Sequence, residues 1–353
     1  METNLSPILR TALLAALACS CVPGAESLDQ DAGAPDGAGS AADSAVPDAG
    51  GAAHDGASAA DAAPASDASP RADAAGQGSS GCGAATPSAG VWTLQHDGLT
   101  RSFVVRLPSS YDPDTPTPLV LSFHGRATTA SLQELVSGFT EVAEANDFIV
   151  VYPEGTGEQQ TWNAGYCCGE AQTNNVDDLG FTSAMIDRLI AELCIDRRRV
   201  YANGLSNGGY FAYHLACLMT DRVAAVGSVA GLTSTIPCTP SRPIPVLHFH
   251  GDDDRVVSYD GGSIGALSAP LNAADWAARN GCASGPTVTF EQDDVSCQTW
   301  SGCDEGAEVR FCTIAGGGHQ WPGGFTLIGL GENTDTIDAS EEMWTFYTAH
   351  QLP

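Results

Sequence analysis

Short, continuous apolar runs recur along the chain from about residue 82, separated by stretches in which apolar residues return at helical spacing. The runs 119–123, 148–152, 200–202, 223–229, 244–249 and 308–314 are apolar almost throughout, which predicts strands buried on both faces. Between them, 131–145, 178–193, 210–219 and 273–279 predict helices, with a closing helix over 339–350. In the second of these, Phe181, Met185, Leu189, Ile190 and Leu193 fall at helical spacing. Ahead of this alternation, 91–95 and 101–107 read as strands, and His96-Asp97-Gly98 between them predicts a hairpin turn. Buried strands alternating with helices require a mostly parallel sheet covered on both sides. Two antiparallel strands at its front complete the pattern of an α/β-hydrolase. No internal repeat and no second folded domain are expected.

Residues 22–81 have no such pattern. They are mostly Ala, Gly, Ser, Asp and Pro; Asp31, Asp36, Asp43, Asp48, Asp55, Asp61, Asp67 and Asp73 recur at short intervals, and Arg71 is the only arginine. With almost nothing to bury and acids far outnumbering Arg71, this stretch is expected to be a disordered, self-repelling spacer ahead of a folded domain over 82–353. Before it, Arg10 and the apolar run 11–18 lead into Cys19-Ser20-Cys21. That predicts a secretory signal over 1–21, too short to span a bilayer. Ala16-Leu17-Ala18-Cys19 also resembles a bacterial lipoprotein processing site, with Cys19 or Cys21 as the lipid acceptor.

Charge narrows the functions open to the chain. The 43 acids against 14 bases give a net charge of −29, which argues against nucleic acid or an anionic membrane as partner. Contact with a membrane is expected only through an N-terminal lipid anchor. Every base is arginine, and no lysine occurs. That excludes a Walker-A lysine, a Schiff-base lysine and a Ser-Lys dyad together. A serine nucleophile in this chain therefore needs histidine as its base. The twelve cysteines suggest an oxidising compartment. Ten of them, Cys82, Cys167, Cys168, Cys194, Cys217, Cys238, Cys282, Cys297, Cys303 and Cys312, lie in the folded part and allow five bridges whose pairing stays open. Cys167 and Cys168 either join each other or enter two separate bridges. The CxxC and HxxxH spacings of zinc sites are missing, so no metal is expected.

The candidate chemistry sits where apolar runs end. Gly204-Leu205-Ser206-Asn207-Gly208 fits G-x-S-x-G between a strand and a helix. A serine at the apex of so sharp a turn is strained, so the residues two before and two after it must be small. Beyond 244–249 comes His250-Gly251-Asp252-Asp253-Asp254, and beyond 308–314 comes Gly316-Gly317-Gly318-His319. Ser206, Asp254 and His319 then follow in the chain order of the α/β-hydrolases. His319 is the expected base and Asp254 its acid partner, with Asp252 as the alternative. An oxyanion hole needs two backbone N–H groups. Asn207 is expected to give one, and Arg126, after His124-Gly125, the other; His124 itself is expected to be structural. Trp162, Tyr166, Tyr259 and Trp321 are candidates for the walls of an acyl or aromatic pocket.

Taken together, Phe123-His124-Gly125, Tyr152-Pro153-Glu154-Gly155, Trp162-Asn163-Ala164-Gly165, Cys167-Cys168-Gly169, Asn175-Val176-Asp177-Asp178, the serine turn, His250-Gly251 through Tyr259 and Gly318-His319 through Gly323 resemble the secreted polyhydroxybutyrate depolymerase and feruloyl esterase family. Arg255 and Ser258 stand where many relatives have proline. The resemblance implies an α/β-hydrolase esterase with Ser206 as nucleophile, Asp254 as acid, His319 as base, no cofactor, and a small or polymeric ester as substrate. An acyltransferase or peptidase of the same fold, or a non-catalytic surface-tethered binding module, is the alternative.

Overall fold

The computed structural model describes residues 78–234, 237–262 and 266–353. The predicted signal (1–21) and residues 22–77 of the predicted spacer lie outside the described residues. The described strands are β1 (Gly90–His96), β2 (Leu99–Arg106), β3 (Thr117–Phe123), β4 (Ile149–Pro153), β5 (Ile195–Leu205), β6 (Ala225–Val229), β7 (Val246–Gly251), β8 (Ser284–Gln292), β9 (Val295–Ser301) and β10 (Val309–Ile314). They form one sheet in the order β1-β2-β4-β3-β5-β6-β7-β10-β9-β8. From β4 through β3, β5, β6 and β7 to β10 every neighbouring pair is parallel. The two strands at either end are antiparallel. This is the α/β-hydrolase arrangement the apolar pattern predicts.

Period-two alternation shows why the central strands are apolar throughout. Every residue of β3 is buried. Leu119, Leu121 and Phe123 enter one core, while Val120 enters the other. The first core is capped by α4 (Asp178–Glu192), α5 (Asn207–Leu218) and α6 (Ala269–Arg279), through Phe181, Met185, Phe211 and Trp276. The second is capped by α1 (Ala130–Ser137), α2 (Phe139–Asn146) and α7 (Ala339–Thr348), through Val136, Phe139 and Met343. A short α3 spans Gly169–Thr173.

Three local expectations are corrected. The helix expected over 131–145 is two helices, because Gly138 turns left-handed at φ 62° and its N–H caps α1 on the Glu134 carbonyl. The hairpin of β8 and β9 has no counterpart in the apolar pattern. The folded part also starts earlier than residue 82: Gly78 bridges Asp196, and Ser79 N–H donates to the Ile195 carbonyl at 3.1 Å. The first hairpin turns as expected, with Asp97 and Gly98 both at positive φ (47° and 74°).

The ten cysteines of the folded part pair as Cys82–Cys194, Cys167–Cys168, Cys217–Cys238, Cys282–Cys303 and Cys297–Cys312. The first joins positions 112 residues apart. A loop of that size restricts the unfolded chain by about 4–5 kcal/mol in the chain-entropy description. Full reduction is expected to lower the melting temperature by about 10 °C or more in calorimetry. An unchanged melting point would contradict a stabilising disulfide framework.

Candidate active site

The serine turn is built by close backbone approach. A methyl group on Gly204 would lie 2.4 Å from the Gly208 carbonyl carbon and 2.7 Å from the Phe123 oxygen. One on Gly208 would lie 2.1 Å from the same Phe123 oxygen. Only glycine lets β5 turn into α5 this tightly against the end of β3. Ser206 sits at the apex with φ 57° and ψ −121°, a region that non-glycine residues rarely occupy. Two backbone bonds hold it there: Ser206 N–H donates to the Val229 carbonyl at 2.8 Å, and Tyr210 N–H donates to the Ser206 carbonyl at 2.9 Å.

The loop after β3 comes up against this turn. A methyl group on Gly125 would lie 3.4 Å from Ser206 Cβ. The Gly125 carbonyl accepts from His124 Nδ1 at 2.7 Å and from Thr128 Oγ1 at 2.6 Å. Those two donors fix the plane of the peptide whose other edge is the Arg126 N–H. His124 is fully buried, and its Nε2 accepts from Gly155 N–H at 2.9 Å. Its proton is therefore on Nδ1, and the ring is neutral. Burial, reinforced by the Arg101 charge and opposed by the bond to Gly125, pushes its pKa down to about 4. The Arg126 guanidinium turns away to Gln159, with Nε at 2.8 Å from Oε1.

Asn207 does more than follow the serine. Its Oδ1 accepts from Trp162 N–H at 2.7 Å, and its Nδ2 donates to the Trp162 carbonyl at 3.0 Å. The side chain thus clamps the 162–168 loop onto the first turn of α5. The sequence marks Asn207 only for its backbone N–H; a polar residue after a G-x-S motif carries no signal of this second task.

The acid and the histidine meet because their two loops are stitched together. Asp252 Oδ1 accepts from Gly316 N–H at 2.6 Å, and Asp253 N–H donates to the Gly317 carbonyl at 3.0 Å. Asp254, next along, is buried and places Oδ2 2.7 Å from His319 Nδ1. Its Oδ1 accepts from the N–H groups of Val256 (2.8 Å) and Val257 (2.9 Å). Burial raises the Asp254 pKa, but the interaction with the His319 ring and its hydrogen bond outweighs it, with the Val257 N–H adding to them, and the carboxyl is held below its ordinary value. An ionised carboxylate only accepts, so His319 carries its proton on Nδ1 and leaves Nε2 as a base. Asp252, the alternative acid, is exposed and serves as a loop staple.

Two of the four aromatic candidates are corrected. Trp162 is fully buried, stacks on Phe211 and donates from Nε1 to the His124 carbonyl at 3.0 Å. Trp321 is fully buried, packs edge-on against Phe139 and donates to Ser340 Oγ at 3.0 Å. Both support the loops from within rather than forming walls. Tyr166 is 58% exposed at the tip of the 162–168 loop. Tyr259 is half-buried, with its hydroxyl 2.9 Å from Thr313 Oγ1. A cavity of about 520 Å³ near Leu99, Arg101, Glu154 and Gln160 has none of the candidate residues in its lining. Among the described residues, no group of three or more metal-binding side chains occurs, and no helix is long and apolar enough to cross a membrane.

His124 and His214 give the fold an acid limit. Burial lowers the His214 pKa to about 4 as well. In the unfolded chain both titrate near 6.5. As pH falls below that value the unfolded chain binds protons that the folded one refuses. Stability is therefore intact above pH 6.5 and lost progressively between about 6.5 and 4. Each shift is worth about 3 kcal/mol. Denaturant unfolding is expected to give a clearly lower midpoint at pH 4.5 than at pH 7.5; equal midpoints would contradict buried neutral histidines.

The model of the family described as "Putative esterase" matches residues 98–308, more than half of the chain. Feruloyl esterase B of Piromyces equi is 33% identical over 234 residues, 62% of this chain and 42% of that protein. The bifunctional acetylxylan esterase/xylanase XynS20E of Neocallimastix patriciarum is 29% identical over 64% of this chain and 32% of its own length. The chain thus spans less than half the length of these two relatives. Feruloyl esterase C of Emericella nidulans is 28% identical over 76% of this chain and 92% of that protein. Among solved structures, an acetyl xylan esterase from Aspergillus awamori aligns with a TM-score of 0.55 over 73% of this chain and 99% of that one, at 13% identity. That likeness is one of fold. With the family model covering the chain from β2 to β9, the serine turn included, the protein belongs to the esterase family and has its α/β-hydrolase fold.

Proposed function

We propose that the protein is an exported carboxylic ester hydrolase that works through a Ser206-His319-Asp254 acyl-enzyme cycle. The observation that carries this reading is the 2.7 Å contact between His319 Nδ1 and a buried, ionised Asp254, on the same sheet edge as the strained Ser206. In this cycle His319 Nε2 takes the Ser206 proton as Oγ attacks the ester carbonyl, and Asp254 stabilises the imidazolium. The N–H groups of Arg126 and Asn207 receive the developing oxyanion. His319 then protonates the departing alcohol, and a water molecule attacking by the same route releases the acid. No cofactor takes part.

Hydroxycinnamoyl esters are the preferred substrate class, supported by the feruloyl esterases among the relatives and by the exposed Tyr166 at the tip of the clamped loop. Export is supported by five disulfides and by the signal pattern at 1–21. Lipid attachment at Cys19 or Cys21 is supported by that sequence pattern alone. The test is kcat/KM of the purified protein on methyl ferulate, an acetylated sugar and a 3-hydroxybutyrate oligomer, side by side. A preference for ferulate of tenfold or more is expected. A preference for the oligomer would replace this substrate class with polyhydroxyalkanoate-type esters.

A further inference from the structure

Behind the acid lies a buried polar chain that the proposed cycle does not use. Tyr213 of α5 and His248 and His250 of β7 are all almost fully excluded from solvent. Tyr213 Oη lies 3.0 Å from His248 Nδ1, and His248 Nε2 lies 3.1 Å from His250 Nδ1. His250 Nε2 lies 2.8 Å from the Val257 carbonyl oxygen and 3.6 Å from Asp254 Oδ2. Asn272 stands beside the Tyr213 hydroxyl at the far end.

The last member dictates where every proton sits. A carbonyl oxygen only accepts, so His250 carries its proton on Nε2. Its Nδ1 is then an acceptor, and His248 must donate from Nε2. His248 Nδ1 is an acceptor in turn and accepts a hydrogen bond from the Tyr213 hydroxyl. All three groups are neutral, and all their hydrogen bonds run in one direction. Burial keeps both rings uncharged, and His250 opposes protonation of His248. His319 opposes protonation of His250 as well, while Asp254 and the Val257 carbonyl favour it. Tyr259 packs edge-on against the His250 ring, and Phe311 against His248.

The chain ends on the residue that holds the acid. Val257 accepts from His250 through its carbonyl and donates through its N–H to Asp254 Oδ1 at 2.9 Å. We propose that Tyr213, His248 and His250 form a one-way hydrogen-bond relay that fixes the 254–257 turn, and so positions the Asp254 carboxylate against His319. They are positioning residues. The inference rests on the reading of Asp254 and His319 as acid and base. A buried polar chain is worth keeping only when every member is satisfied, and this one is satisfied only in the stated order.

The test has two arms on the full chain. Nitrogen-15 correlation spectra of the wild-type protein at pH 7 are expected to show His248 and His250 as neutral Nε2–H tautomers. Either ring with its proton on Nδ1 overturns the relay. In kinetics, His250→Leu is expected to lower kcat about 100-fold with KM within twofold, and His250→Gln, which restores a donor toward Val257, to recover at least tenfold of that. Tyr213→Phe keeps the ring stacked on Trp276 and is expected to lower kcat about fivefold, with His248 keeping the Nε2–H tautomer that His250 sets. Unchanged kcat in all three variants, or no advantage of Gln over Leu, overturns the relay. Full activity in Asp254→Asn would instead overturn the triad reading, whatever the tautomers show.

Discussion

Replacing Ser206 by alanine is expected to lower kcat/KM on an ester by about 10⁴–10⁶-fold, about 5–8 kcal/mol of transition-state stabilisation. The melting temperature should move by no more than about 2 °C. The two halves of this expectation come from different atoms. The hydroxyl is the proposed attacking group, and nothing else in the turn can replace it. The backbone bonds that hold the turn, to Val229 and from Tyr210, involve only the Ser206 amide and carbonyl and survive the change. The positive φ is as unfavourable for alanine as for serine. A residual rate above background should remain, because the proposed oxyanion hole of the Arg126 and Asn207 amides is left intact for attack by water. A variant that kept more than a few per cent of the wild-type rate would remove Ser206 from the mechanism.

The second large effect separates two neighbouring aspartates. Asp254→Asn is expected to cost about 10³–10⁴-fold in kcat with little change in KM. The new amide can still accept from Val256 and Val257 through Oδ1, so the turn keeps its shape. Its NH₂ then faces His319 Nδ1, which must become an acceptor and move the proton to Nε2. The base is lost without any loss of packing. Asp252→Asn keeps an oxygen for the Gly316 N–H and touches no reacting group, so kcat should stay within about threefold of wild type. Steady-state kinetics on both variants checks the ranking. The reverse order would move the acid to Asp252 and contradict the loop geometry.

The sheet was legible in the sequence because its central strands are buried on both faces, which leaves an apolar signature no loop imitates. β8 was not, because eight of the nine residues of Ser284–Gln292 are exposed and only Val288 and Phe290 carry a large apolar side chain. What holds that strand is pairing with β9, itself tied to β10 by Cys297–Cys312. The break at Gly138 was hidden because the helical spacing of apolar residues continues on either side of it. Among the site residues, Asp254 could be chosen over Asp252 by its distance past the strand, since a side chain needs a turn to point back at the histidine. Trp162 and Trp321 could not be sorted: an aromatic beside a motif reads the same whether it lines a pocket or props a loop. The proposed relay was equally silent. Nothing in the sequence links His248 and His250 to Tyr213, which is distant along the chain; only the fold brings them together.

The most direct test of the central claim is to treat the full chain with a fluorophosphonate probe and locate the adduct by mass spectrometry. One adduct per chain is predicted, on the peptide containing Ser206, lost in Ser206→Ala and slowed by an ester substrate. No adduct on folded protein, or one that persists in Ser206→Ala, would contradict a serine esterase built on this turn.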